Sequence, residues 1–170
     1  MSNSPNRSFE KIEIADLERL RDLALGYLDD LFTRKPDGSG RLRGHLMLLC
    51  LVQGCARHFV YRDRGVRDFD VLGLFRSIPD IKYNPQHMKS LDFGPSKFGS
   101  DPDEPWLQGR KVDIVGRSIE FRCADTSVLA LRRYLEQGKT QSARLWAQRP
   151  VVGLWPKEHL GRVLWDSEHR

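Results

Sequence analysis

Apolar side chains recur every three or four positions between Ile14 and Phe32, and charged residues fill the gaps between them. The apolar positions are Leu17, Leu20, Ala24, Tyr27, Leu28 and Leu31. This spacing predicts an amphipathic helix with one buried face. The helix is expected to end at the segment TRKPDGSGRLRG, because its proline and glycines favour a loop.

The run LMLLCLV, from Leu46 to Val52, is apolar throughout. Its shortness and the glycine that follows it predict a buried central strand. The next segment, CARHFVYR, predicts a short helix. After the turn RG, the segment RDFDVLGLF predicts a strand that begins with Asp68 and Asp70 alternating with apolar residues.

A long segment follows, RSIPDIKYNPQHMKSLDFGPSKFGSDPDEPWLQG, which is rich in Pro, Gly and Ser and shows little periodicity. Inside a compact domain such a stretch is typical of a functional loop or a small subdomain. The segment RKVDIVGRSIEF then predicts a pair of strands around a turn at Gly116 and Arg117. The apolar residues that alternate with polar ones in this pair are Val112, Ile114, Ile119 and Phe121.

Two helices are predicted near the C-terminus. The first, in DTSVLALRRYLEQG, has Asp125 or Thr126 as its cap and ends at Gly138. The second, SARLWAQR, begins at Thr140 or Ser142, and the remaining tail mixes extended segments and turns. These elements predict an α+β fold: a small mixed β-sheet with flanking helices and a C-terminal helical segment.

Residues 1–12 are expected to form a flexible arm and residues 13–170 a single domain, with a core at about 46–121 and a C-terminal helical part at about 125–170. The chain has 170 residues, a length that favours one domain. No apolar run approaches the roughly 20 residues that span a bilayer, so no membrane partner is expected. The polar N-terminus lacks the apolar centre of a signal peptide, which predicts a cytoplasmic protein.

Charge and cysteine content change this picture only slightly. The net charge of +5 permits an anionic partner such as a nucleotide or a nucleic acid. The three cysteines include no C-x-x-C pair, so the pattern predicts free thiols rather than a zinc site.

Three aspartates are the main candidates for chemistry. Alternate residues of a strand point to the same face, so Asp68 and Asp70 project side by side. If the strand that contains Asp113 lies next to theirs, three carboxylates converge, which is costly without a cation. Mg²⁺ or Mn²⁺ would relieve that cost. In the competing interpretation Asp68 pairs with Arg64 or Arg67, Asp70 faces water and Asp113 caps a strand.

A glycine lies at the junction of the buried strand and the short helix that follows it. Gly54 leaves room for a phosphate to approach the backbone, and the free N–H groups of the first helical turn can bind that phosphate. Gly54 and Cys55 therefore predict a phosphate site immediately before the acidic strand.

The order of an apolar strand, Gly-Cys, a short helix, Asp-x-Asp and a later single Asp resembles the nucleotidyltransferase superfamily of polymerase-beta type. LVQGCA followed by RGVRDFDV is similar to the Gly-Gly-x-Ala and Asp-x-Asp segments of AbiEii-like and minimal nucleotidyltransferases. The resemblance covers about Leu46 to Ile119. The sequence departs from the family pattern at Cys55, where Ser or Gly is usual, and in the length of the loop after the Asp-x-Asp pair.

The resemblance implies a palm-like sheet and transfer of NMP from an NTP, such as ATP, to a hydroxyl of RNA, of a protein or of a small molecule. Asp68 and Asp70 would coordinate Mg²⁺ or Mn²⁺ with the nucleotide phosphates. Asp113 would complete the site and help to activate the acceptor, and Gly54 and Cys55 would line the triphosphate. The implied context is a toxin–antitoxin or phage-defence system. The alternative is a catalytically degenerate module of the same fold that binds nucleotide or RNA.

Several further residues are weaker candidates. Lys97, held between glycines in DFGPSKFG, is a candidate contact to triphosphate or nucleic acid, and Phe93 or Phe98 could stack on a base. The opposing interpretation is a surface loop pinned by its phenylalanines. A metal-dependent nuclease would share the three acids, but no acid-x-Lys signature accompanies Asp113.

Basic residues of the C-terminal helices, such as Arg132 and Arg133, could bind an RNA acceptor, or they could form a solvated helix face. His58 is a candidate general base.

Overall fold

The computed structural model describes residues 6–81 and 89–169 of the chain. The helices are α1 (Ile14–Arg34), α2 (Gln53–Tyr61), α3 (Ser127–Gln137) and α4 (Gln141–Trp146). The strands are β1 (Leu46–Val52), β2 (Phe69–Arg76), β3 (Lys89–Asp92), β4 (Lys111–Ile119), β5 (Val151–Trp155) and β6 (Val163–Trp165). Short 3₁₀ helices cover Ser39–Leu42 and Lys157–His159.

Helix α1 forms where the apolar spacing predicts it. Its buried side chains are Leu17, Leu20, Ala24, Tyr27, Leu28, Leu31 and Phe32. A capping box fixes its start, since the Asp16 carboxylate accepts a hydrogen bond of 2.8 Å from the Glu13 N–H. The helix ends at Arg34, shortly before Pro36, so the predicted start and end are both confirmed.

The six strands form one mixed sheet in the order β3-β4-β2-β1-β5-β6. Strands β2 and β4 are parallel, and the other neighbouring strands are antiparallel. Alternate residues of β1 enter opposite cores: Leu49 and Leu51 pack with α1, whereas Leu48 and Cys50 pack with α3 and α4. The fold is therefore α+β, with a mixed sheet between helices, as the sequence predicts.

The prediction of two strands around a turn at Gly116 and Arg117 is wrong, because β4 is a single strand that contains both residues. It runs unbroken beside β2, from Val112 opposite Phe69 to Ile119 opposite Arg76. Gly116 lies in the strand interior opposite Gly73, so the glycine marks no turn. The alternation of apolar and polar residues continues through this point because a single strand produces it.

The long segment after β2 also contains regular structure that was not predicted. Strand β3 pairs antiparallel with the outer edge of β4, with Ser90 opposite Asp113. Residues 82–88 of the predicted loop lie outside the described residues.

The predicted C-terminal helices and their caps are present. The Thr126 hydroxyl accepts a hydrogen bond from the Leu129 N–H, and α3 ends at Gly138 with φ 53°. Thr140 caps α4 in the same way, through the Ala143 N–H. After these helices the chain returns to the sheet as β5 and β6, so the predicted helical part gives way to strands beyond Trp146.

Residues 6–12 are part of the fold, so the prediction of a flexible arm is wrong for them. Ser8 and Val66 exchange two backbone hydrogen bonds of 2.8 and 2.6 Å, and the Ile12 side chain is 2% exposed. Residues 1–5 of the arm lie outside the described residues. Among the helices of residues 6–81 and 89–169, none combines the length and the apolar character needed to cross a membrane.

Candidate functional site

The three aspartates lie near one end of the parallel strands β2 and β4. Asp70 in β2 lies directly opposite Asp113 in β4. Asp68 precedes β2 by one residue. The strands that contain these acids are neighbours, as the three-acid hypothesis requires.

Burial raises the pKa of Asp70 from 3.8 to about 7, and the negative charges of Asp68 and Asp113 add to this effect. The positive charges of Lys111 and Arg149 partly oppose it. Within residues 6–81 and 89–169, the carboxylates of Asp68 and Asp70 have no hydrogen-bond or ion-pair partner. Arg67 pairs with Asp103 at 3.0 Å and not with Asp68. The described structure therefore does not contain the ion pair on which the competing interpretation of Asp68 depends.

The Asp113 carboxylate is engaged on both oxygens. The Ser90 hydroxyl donates to Oδ1 at 2.6 Å, and the Lys111 ammonium lies 3.4 Å from Oδ2. In the described parts of the chain, no three His, Cys, Asp or Glu side chains are grouped in an arrangement that could hold a metal ion. The three aspartates are thus neighbours, but within the described residues they do not form a complete metal-binding site.

The first turn of α2 faces the acids across a polar cavity of about 240 Å³. Its lining residues are Arg7, Gln53, Gly54, Cys55, Gly65, Arg67, Asp68, Asp70 and Arg149. A side-chain carbon added at Gly54 would lie 4.0 Å from the Arg149 guanidinium, so Arg149 faces the backbone at the helix start. Gln53 has φ 63°, an unusual backbone conformation for a residue other than glycine.

Arg7, Arg67 and Arg149 surround this cavity, and the sequence pattern did not place any of them there. Arg149 ends the predicted helix SARLWAQR, whose basic residues are candidates only for contact with an RNA acceptor. Arg7 belongs to the predicted flexible arm, which carries no pattern that links it to α2. A helix N-terminus with arginines beside it is suited to an anion, since both supply N–H donors and positive potential.

Cys55 lines the cavity, but its thiol is used inside the fold. Sγ donates to the Val52 carbonyl at 3.0 Å and accepts from the Asp70 N–H at 3.3 Å. Burial raises the pKa of the thiol well above its usual range. Any contact of Cys55 to a ligand therefore comes from its backbone, and the side chain connects α2 to β2 next to Asp70.

This bridge predicts effects of different size for two substitutions of Cys55. Serine keeps a donor and an acceptor at the site, so Cys55→Ser should change the free energy of unfolding by about 1 kcal/mol or less. Valine removes the partner of the Asp70 N–H, so Cys55→Val should cost about 1–3 kcal/mol. Urea denaturation measures both values, and equal effects of the two variants would contradict the bridging role.

The structure does not bring Lys97 to the acids. Its ammonium lies 3.3 Å from Glu13 and 3.1 Å from Asp16, at the start of α1. Phe93 and Phe98 are each 1% exposed and pack against Phe69, so neither side chain is available to stack on a base. This agrees with a loop pinned by its phenylalanines.

His58 and the two helix arginines also have structural partners. His58 is fully buried; its Nε2 lies 3.0 Å from the Glu10 carbonyl, and its Nδ1 accepts from the Gly65 N–H at 3.0 Å. Arg133 pairs with Asp125 at 2.5 Å, and Arg132 donates to the Leu164 carbonyl at 3.1 Å. These groups stabilise the fold and do not point to a general base or an RNA surface.

Comparison of the chain with protein-family models, with curated proteins and with solved structures gives no significant match.

Proposed function

We propose that the chain is a metal-dependent nucleotidyltransferase, which moves NMP from an NTP to an acceptor hydroxyl. One observation carries the proposal: a single polar cavity joins the first turn of α2, three arginines and the two partnerless carboxylates of Asp68 and Asp70. An anion-binding surface that faces a cation-binding surface is suited to a nucleoside triphosphate and its metal ion.

The cationic side of the cavity would hold the triphosphate. The backbone N–H groups of Gly54 and Cys55 lie in the first turn of α2, where the helix dipole favours negative charge. Arg149 faces the same backbone, and its planar guanidinium can donate two parallel hydrogen bonds to a phosphate. Gly54 supports this arrangement because its missing side chain leaves the backbone open to a ligand.

The acidic side fits a hard divalent cation by the chemistry of its donors. Carboxylate oxygens are the ligands that Mg²⁺ and Mn²⁺ prefer. In the described residues the carboxylates of Asp68 and Asp70 have no hydrogen-bond or ion-pair partner. Asp68 and Asp70 would hold the ion together with phosphate oxygens, and Asp113 would join them. When bound, such an ion neutralises phosphate charge and makes an acceptor hydroxyl more acidic.

The proposed reaction forms a bond between the acceptor oxygen and the α-phosphorus of the NTP and breaks the bond to the bridging oxygen of the β-phosphate. Pyrophosphate leaves with that electron pair, and the carboxylate of Asp113 takes the hydroxyl proton. Arg149 and the first turn of α2 stabilise the negative charge that develops on the leaving group. The protein otherwise positions the two reactants, which supplies much of the catalysis in phosphoryl-transfer enzymes.

Incubation with α-³²P-labelled NTPs, Mg²⁺ or Mn²⁺ and a cell extract tests the proposal. Label should move to an acceptor, and EDTA should abolish the transfer. Absence of transfer with all four NTPs and both metals would contradict catalysis. Cleavage of plain DNA or RNA without added NTP would favour a nuclease instead.

A second candidate is a non-catalytic module that binds nucleotide or RNA in the same cavity. The engagement of Asp113 by Ser90 and Lys111 favours it, because protein groups already satisfy both oxygens of that carboxylate. Isothermal titration calorimetry separates the two candidates. Nucleotide binding that is independent of metal and has no turnover supports the module, whereas metal-dependent binding supports the enzyme.

A further inference from the structure

Lys111 lies between two carboxylates at the edge of the acid group. Its ammonium is 3.4 Å from Asp113 Oδ2 and 3.9 Å from Glu104 Oε1. The Ser90 hydroxyl donates to the other oxygen of Asp113, so a positive charge and a hydroxyl already lie beside this carboxylate. A divalent cation that needs Asp113 must therefore compete with the lysine.

Glu104 has an unused acceptor close to the same lysine. Its Oε2 is buried and has no hydrogen-bond partner within the described part of the chain. A buried carboxylate oxygen without a donor destabilises the fold.

We infer that Lys111 alternates between Asp113 and Glu104 and so controls when Asp113 is available to a divalent cation. The inference rests on the proposed function, which supplies the cation. Without metal, the ammonium neutralises Asp113. A metal ion held by Asp68 and Asp70 would repel the Lys111 ammonium and so favour its contact with Glu104, whose buried oxygen would then gain a donor.

Metal titration of two single variants tests the exchange. Lys111→Met removes the competing ammonium, so Mn²⁺ should bind about tenfold more tightly, which corresponds to about 1.4 kcal/mol. Glu104→Gln removes the second position of the lysine, so Mn²⁺ should bind several-fold more weakly. Each variant is titrated with Mn²⁺ in the absence of nucleotide, so the measurement does not depend on turnover. Electron paramagnetic resonance of the free Mn²⁺ gives both dissociation constants.

The double variant separates an exchange from a simple loss of charge. If Glu104 acts through Lys111, Glu104→Gln should have little effect in the Lys111→Met background. If Glu104 only adds negative charge, the weakening should be the same in both backgrounds. Lys97→Met is the matched control: it removes a lysine that also pairs with two acids, Glu13 and Asp16, but at the start of α1, and it should leave Mn²⁺ affinity unchanged.

Unchanged or weaker Mn²⁺ binding in Lys111→Met would overturn the inference, as would equal effects of Glu104→Gln in the two backgrounds. Lys111→Gln, which keeps a polar side chain of similar length, serves if the methionine variant does not fold. If wild-type protein and all variants fail to bind Mn²⁺, the proposed function fails together with the inference. If the wild type binds Mn²⁺ and the variants do not differ, only the inference fails.

Discussion

Replacing Asp68 and Asp70 together with asparagine is expected to reduce NMP transfer by about a thousandfold or more, the scale on which single electrostatic groups act in phosphoryl transfer. The double variant removes both partnerless carboxylates and keeps the shape of each side chain. No hydrogen bond or ion pair of these carboxylates within the described residues is lost, so the fold should persist. Labelled NMP transfer and circular dichroism of the same samples measure the two outcomes.

A matched control carries the same change in net charge at a different place. Asp29 and Asp30 lie on the exposed side of α1, where they pair with Arg43 and Arg34. Asp29→Asn with Asp30→Asn should leave transfer within a few-fold of wild type. Transfer that persists undiminished in the Asp68 and Asp70 variant would contradict the assignment.

Asp70→Asn alone is expected to stabilise the metal-free protein above pH 7. The folded protein raises the pKa of this carboxyl from 3.8 to about 7, so ionisation of Asp70 disfavours the folded state. Only the protonated form of Asp70 suits the folded state. The contribution of this residue to the free energy of unfolding is therefore fully present below about pH 4 and is lost as the pH rises to about 7. Since one pKa unit corresponds to about 1.4 kcal/mol, the variant should gain on the order of a few kcal/mol at pH 8.

Urea denaturation of wild type and Asp70→Asn at pH 4, 6 and 8 measures this difference. The gap between the two free energies of unfolding should widen from pH 4 to about 7 and then stay constant. Addition of Mg²⁺ at pH 8 should stabilise the wild type more than the variant, because a ligand that binds only the folded state adds to its stability. A gap that does not depend on pH would contradict the buried, repelled state of Asp70.

The local elements of the fold were predictable because their signals lie within a few residues. The apolar spacing of α1, the buried run of β1 and the caps at Thr126 and Thr140 each act through neighbours along the chain. Strands β3 and β4 were not predicted correctly, because a strand is stabilised by residues far away in sequence. Gly116 looked like a turn until its position opposite Gly73 in β2 was known.

The candidate site also contains residues that the sequence predicts and residues that it does not. Gly54, Asp68 and Asp70 lie close together in sequence, and their spacing was enough to single them out. Lys111 and Ser90 were missed because they reach Asp113 only through the strands, and Arg149 approaches α2 from the far end of the chain. The direction of the Cys55 thiol, which hydrogen bonds inside the fold, also has no signal in the sequence.

The central claim is that the cavity between α2 and the acids binds a nucleotide together with a metal ion. Isothermal titration calorimetry with α,β-methylene analogues of the four NTPs, with Mg²⁺ or with EDTA, tests it most directly, since these analogues resist cleavage. The account predicts binding of at least one analogue with Mg²⁺, and loss of that binding with EDTA and in the Asp68→Asn, Asp70→Asn variant. Absence of binding with Mg²⁺ would contradict it. So would an affinity, in EDTA or in the variant, equal to that of the wild type with Mg²⁺.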